Sequence, residues 1–147
     1  MQLLLLGYRF SSYVHKLGLL KISKVIDGIN LFLFKSYVPG SVKIGKDSVF
    51  AYGGIGVVIH ANAVIGDNCI IGQGITIGGR SNHINVPQLG HEVYLGAGCR
   101  ILGPIVIGDN VIIAPNAVIL NDVPSGSIVV GVPGRIVKSN IVMRDFI

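Results

Sequence analysis

The chain has 147 residues, half of them hydrophobic and only 13% charged, with a formal net charge of +5. That length fits one domain with a real core, and the modest charge, without aromatic residues interleaved among the basic ones, argues against nucleic acid as a partner. No run of about eighteen apolar residues is present, which argues against a membrane span, and Leu3–Leu6 is too short for the core of a signal peptide.

Residues 1 to about 36 lack any short repeat. Leu3–Leu6, Tyr8, Tyr13, Val14 and Leu17, then Leu19, Leu20, Ile22, Val25, Ile26, Ile29 and Leu33, recur at three- and four-residue spacing. This predicts a short helix and a longer one joined near Gly18. The second is apolar on more than one face, so it is expected to pack on a neighbour or touch a membrane surface. Pro39-Gly40 marks the boundary between this helical region and a repetitive one.

From about Ile44 to Val130 the chain repeats in sixes: IHANAV, IGDNCI, IGQGIT, IGGRSN, then LGHEVY, LGAGCR, an irregular ILGPIV, and IGDNVI, IAPNAV, ILNDVP. A hexapeptide period is the mark of a β-helix. One unit cannot bury its own apolar face, but stacked units place Ile59, Ile65, Ile71 and Ile77 in one interior. Glycine and the Asp67-Asn68 and Asp109-Asn110 pairs suit the corners. Cys69 and Cys99 fall on the small fifth place and read as buried hydrophobes in a reducing compartment.

Two interruptions break the repeat. Three surplus residues lie between Phe50 and Ile59, with Gly53, Gly54 and Gly56 among them; they lack the strand-to-helix setting of a dinucleotide fingerprint. After IGGRSN, His83 stands where an aliphatic is due and Pro87 takes the small place, so residues 80–88 are expected to leave the helix as a loop. Downstream, Val132 to Lys138 reads as an extended basic tail. The expected organisation is a helical segment 1–37, a β-helix 38–131 and a tail 132–147.

With GVVIHANAVIGDN, TIGGRSNH, VYLGAGCRILGPIVIGDNVII and GVPGRIVK in hand, residues 38–138 resemble the hexapeptide-repeat acyltransferases. The nearest in pattern are serine acetyltransferases and bacterial O-acetyltransferases of sugars and polysaccharides. The resemblance implies a mainly β fold, a left-handed parallel β-helix, in a homotrimer with acetyl-CoA between neighbouring subunits. It implies acetyl transfer to an acceptor hydroxyl with a histidine as general base and no metal. His83 corresponds to the loop histidine of the galactoside-type enzymes, and His60 is the second candidate. His91 reads as structural. For the cofactor the resemblance points to Gly78 and Gly79 beside the thioester. Ala97 and Pro115 fall along the pantetheine arm, and Arg135 and Lys138 at the phosphates.

Serine acetyltransferases carry an Asp-His pair where this chain reads Phe50-Ala51-Tyr52-Gly53, and an orienting aspartate that falls near Tyr37. These departures lead to the expectation of a sugar or polysaccharide precursor as acceptor. Serine O-acetylation is the alternative, and a non-catalytic trimeric scaffold the second alternative. A zinc hydratase would need a tighter histidine set than His60, His83 and His91. The expected location is cytoplasmic, with peripheral contact of the N-terminal segment to the inner membrane.

Overall fold

The computed structural model describes residues 3–147. Met1 and Gln2 of the expected helical segment lie outside the described residues. Two helices, α1 (Leu3–Lys16) and α2 (Leu20–Phe34), form a hairpin that turns at Gly18 with φ 78°. They are nearly equal in length, 14 and 15 residues, rather than short and long. Lys35, in the left-handed conformation, ends α2.

Four coils of short parallel strands come next. The first is β1 (Lys43–Ile44), β2 (Val49–Phe50) and β3 (Val58–Ile59); the second β4 (Val64–Ile65), β5 (Ile70–Ile71) and β6 (Thr76–Gly78). The third is β7 (Gln88–Leu89), β8 (Tyr94–Leu95) and β9 (Arg100–Leu102); the fourth β10 (Val106–Ile107), β11 (Ile112–Ile113) and β12 (Val118–Ile119). β13 (Ile128–Val130) begins a fifth, and β14 (Arg135–Lys138) folds back on it. The strands stack into three faces: β1-β4-β7-β10, then β2-β5-β8-β11-β13-β14, then β3-β6-β9-β12. The result is the expected left-handed β-helix of about four turns.

Each strand turns one side chain inward. Ile44, Ile65, Leu89 and Ile107 stack on the first face, Phe50, Ile71, Leu95 and Ile113 on the second, and Ile59, Ile77, Ile101 and Ile119 on the third, all buried. Each aliphatic so buried contributes about 1.5–3 kcal/mol. Cys69 and Cys99 fill the narrow corner places as expected, fully buried.

The corners repeat as strictly as the faces. Between the first and second faces, Asp47, Asn68, Glu92 and Asn110 all take φ near +55° (55°, 56°, 54° and 55°), the region that asparagine and aspartate tolerate best among residues with a Cβ. Beside them, Gly66 admits no side chain: a Cβ there would sit 2.5 Å from the Gly90 carbonyl carbon of the coil above.

α1 closes one end of the prism. Leu4 and Tyr8 enter the core, the Tyr8 hydroxyl donates to the Val42 carbonyl at 2.7 Å, and Arg9 donates to Ile44 O at 2.8 Å. The first rung is Tyr37, bridging to Val58, just ahead of Pro39-Gly40. At the far end the tail is extended as expected but does not depart, because β14 pairs antiparallel with β13. Ile141 and Met143 then bury against Ile112, Tyr94 and Ile128, and Arg144 pairs with Glu92.

Candidate active site

The edge where the third face turns into the first carries most of the candidate residues. His60 follows β3, and its N–H donates to Ile77 O at 2.8 Å, which docks it on the coil above. Its imidazole Nδ1 accepts the backbone N–H of Asn62 at 3.2 Å. A nitrogen that accepts an N–H carries no proton, so in the neutral ring the proton sits on Nε2. That Nε2 faces Gly79, 3.9 Å from where a Gly79 Cβ would stand. Val86 closes the same spot, at 3.4 Å from that position.

Gly79 and Val86 are the two roots of the loop. Arg80 to Asn85 are exposed, Ile84 at 96%, and the chain re-enters the prism at Val86, which is buried. The excursion is therefore shorter than the expected 80–88: Pro87 is buried and Gln88 already belongs to β7. His83 rides on the exposed stretch, its N–H turning back to Arg80 O at 3.1 Å. His60 and the His83 loop thus share one corner.

The edge continues as a groove down the prism. Gly79, Arg80, Leu102, Gly103, Pro104 and Leu120 line a cavity of about 370 Å³. Beyond it, toward the later coils, a second of about 240 Å³ is bounded by Leu120, Asp122, Gly134, Arg135 and Ile136 among others. Apolar walls with an exposed guanidinium at the far end fit an extended thioester cofactor: a chain along Leu102 and Leu120, phosphate at Arg135. Gly78, in register with Leu102, belongs to this edge. Lys138 is on β14 of the second face, its ammonium 4.7 Å from the centre of the Phe146 ring.

Ala97 and Pro115 lie elsewhere. They sit one above the other where the second face turns into the third: a Cβ on Gly96 would meet Pro115 N at 2.5 Å, and one on Gly72 would meet Ala97 Cα at 3.0 Å. The three surplus residues bulge from the same edge, a short 3-10 turn (Ala51–Gly54) in which Tyr52 takes φ 51° and stands 80% exposed. One protomer therefore splits the candidate residues between two edges of the prism. Asn62, which sets the His60 tautomer from two residues away, and Leu102 and Arg80 in the groove, were not singled out in the sequence; the groove itself arises from stacking between coils.

His91 and the two cysteines lie at other corners of the prism. His91 Nδ1 accepts the Asp67 N–H at 3.0 Å across a different corner. Burial pushes both thiols up, Cys99 to about 12, so neither is a nucleophile at neutral pH.

The bacterial transferase hexapeptide family (six repeats) matches residues 87–121. The serine acetyltransferase of Helicobacter pylori (strain J99) is 36% identical over 138 residues, covering 92% of this chain and 80% of that protein. That of Staphylococcus aureus (strain N315) is 42% identical over 135 residues, 90% of this chain and 60% of its own length. That of Synechococcus elongatus is 36% identical over 143 residues, 96% and 58%; the chain thus spans about three-fifths of the last two. Among solved structures, serine acetyltransferase from Vibrio cholerae superposes with a TM-score of 0.87 at 29% identity, over 92% of this chain and 53% of that one. A serine acetyltransferase in complex with CoA gives 0.83 at 31%, over 91% and 55%. These likenesses overturn the expected sugar or polysaccharide acceptor. That expectation weighed a missing Asp-His pair on one coil above the rest of the chain, whose similarity is to serine acetyltransferases at 36–42% identity. On identity and coverage together, this chain belongs to the serine acetyltransferase family.

Proposed function

We propose that the chain transfers the acetyl group of acetyl-CoA to the hydroxyl of L-serine, giving O-acetylserine and CoA. The observation that carries this is the 36% identity to a serine acetyltransferase of which the chain spans 80%, joined to a groove with histidines at one end and Arg135 at the other. We take the working unit to be a homotrimer, a reading supported by the division of the candidate residues between two edges of the prism, which suits a groove shared by neighbouring protomers. A neighbour's edge bearing Ala97, Pro115 and Tyr52 completes the groove.

The two histidines take different parts. His60 has Nδ1 engaged by Asn62, so its Nε2–H is a donor aimed at the corner, suited to the thioester carbonyl oxygen as negative charge gathers there. His83 is then the base. Its imidazole takes the serine hydroxyl proton as that oxygen attacks the carbonyl carbon, and the imidazolium returns the proton to the departing CoA sulfur as the C–S bond breaks. Every proton is accounted for without a covalent enzyme intermediate, as the buried thiols require.

The test is direct. Folded protein, acetyl-CoA and L-serine are mixed, free CoA thiol is followed with a thiol reagent, and the product is identified by mass. O-acetylserine formed in step with CoA is the expected result. Absence of that product from protein shown to bind CoA refutes the assignment.

A further inference from the structure

The second helix of the hairpin is built inside out for a protein in water. The residues of α2 that are buried are polar, Ser23 and Asn30, while Ile22, Val25, Ile29 and Phe32 are exposed, Phe32 at 73%. On α1, Leu3, Leu6, Phe10 and Tyr13 are exposed as well, Phe10 at 59%, and Leu17 continues the series just past its end. The spacing in both helices is i, i+3, i+7, i+10, one continuous stripe each. The buried stripe of α1 (Leu4, Tyr8, Ser11) faces the prism and α2, so its apolar stripe points away from the β-helix. α2 turns Asp27 toward Gly40 of the prism, with the Gly40 N–H donating to the Asp27 carboxylate at 3.1 Å; its own stripe lies on the opposite side. Two parallel apolar stripes therefore form a plate across the end of the molecule.

We infer that this plate seats the protein on an anionic phospholipid surface, lying in the interface and not crossing it. Three observations support this, the first of which selects lipid over a second copy of the chain. Residues 3–35 hold five of the 12 lysines and arginines (Arg9, Lys16, Lys21, Lys24, Lys35) against a single carboxylate, Asp27. Lys16, Lys21 and Lys24 are exposed on the helices that bear the stripes, and the Lys35 ammonium lies 4.9 Å from the Phe32 ring centre. Lysine is depleted from protein–protein interfaces but is what an anionic membrane attracts. Second, the contact between the helices is made of small and polar groups: the Ser11 and Ser23 hydroxyls meet at 2.9 Å, and Gly7 lies against Asn30. The helices thus meet through small and polar groups and leave their apolar stripes to a surface beyond the hairpin. Third, at 1.5 Å per residue each helix is about 21–23 Å long, short of the roughly 30 Å hydrocarbon core; among the described residues no helix is long and apolar enough to cross a membrane.

The experiment is flotation of the purified full chain with vesicles of phosphatidylcholine, with and without phosphatidylglycerol. The protein should float with the phosphatidylglycerol vesicles and be released by high salt. The pairs Phe10→Ser with Phe32→Ser, and Lys21→Glu with Lys24→Glu, should each weaken vesicle binding by about tenfold or more. Thermal midpoint and sedimentation mass should not change, because none of the four side chains is buried. A wild-type protein that stays out of the floating fraction, or binds both vesicles alike, overturns the inference. So does a phenylalanine pair that splits an oligomer instead, which would assign the plate to a second copy.

Discussion

Replacing Gly79 by valine separates the site from the fold. A Cβ on Gly79 meets only side chains, Val86 Cγ1 at 3.4 Å and the His60 ring at 3.8 and 3.9 Å, and Gly79 does not have the positive φ that would strain a side chain. These are ordinary van der Waals distances for the Cβ, and Gly79 is exposed, so the change should cost about 1 kcal/mol, or roughly 2–4 °C in thermal midpoint for a chain of this size. The two added methyls, however, occupy the space in front of His60 Nε2. Displacing a reacting group by about 1 Å is enough to lose on the order of 10²-fold in rate. The control is Gly66→Ala, whose Cβ would fall 2.5 Å from the Gly90 carbonyl carbon with no side chain able to yield. That smaller substitution should cost about 3 kcal/mol or more. The assay is acetyl transfer from acetyl-CoA to L-serine, beside thermal unfolding of each variant. A Gly79→Val protein that folds and keeps wild-type kcat/KM would show that no chemistry passes the His60 face.

His83→Ala should lower kcat by about 10²- to 10⁴-fold while CoA affinity, measured by calorimetry, holds; equal losses in both would make the loop a binding element only. Arg135→Ala should weaken CoA binding by roughly tenfold, as expected for one charge-assisted phosphate contact, and leave the thermal midpoint unchanged because the side chain is on the surface. The Cys99 thiol, desolvated by burial, titrates at about 12 against an ordinary 9.0. A folded-state pKa above the unfolded one contributes stability that is whole below pH 9 and lost as pH climbs toward 12. The thermal midpoint should fall across that window, and Cys99→Ala should flatten the fall; Cys69 and Tyr8, also raised by burial, leave part of it.

Much of this molecule is legible without coordinates. The inward isoleucines, the cysteines at narrow corners and the Asp-Asn turns all follow from a six-residue period that each unit displays by itself. The loop announced itself because His83 stands where an aliphatic was due. What escaped was the loop's return at Val86, since Pro87 looks like a breaker yet fits beneath the next coil. The tail escaped too: Val132 to Lys138 reads as extended, and only contact with β13 turns it into a hairpin. The acceptor does not follow from the missing Asp-His pair at residues 50–53 and the missing aspartate near Tyr37, because likeness over the whole chain outweighs those local departures.

Inside or outside, and strand or corner, were determined by the sequence alone, because alternation and turn chemistry act between residues one to four apart. Which edge each candidate occupies was decided only by the tertiary structure. Ile59 pairs with Ile77 a full coil away, and the surplus residues before it are absorbed as an outward bulge that leaves the stacking in register. His60 beside Gly79, Ala97 above Pro115 on a separate edge, and the outward plate of the helical hairpin are consequences of that stacking, which no single hexad contains.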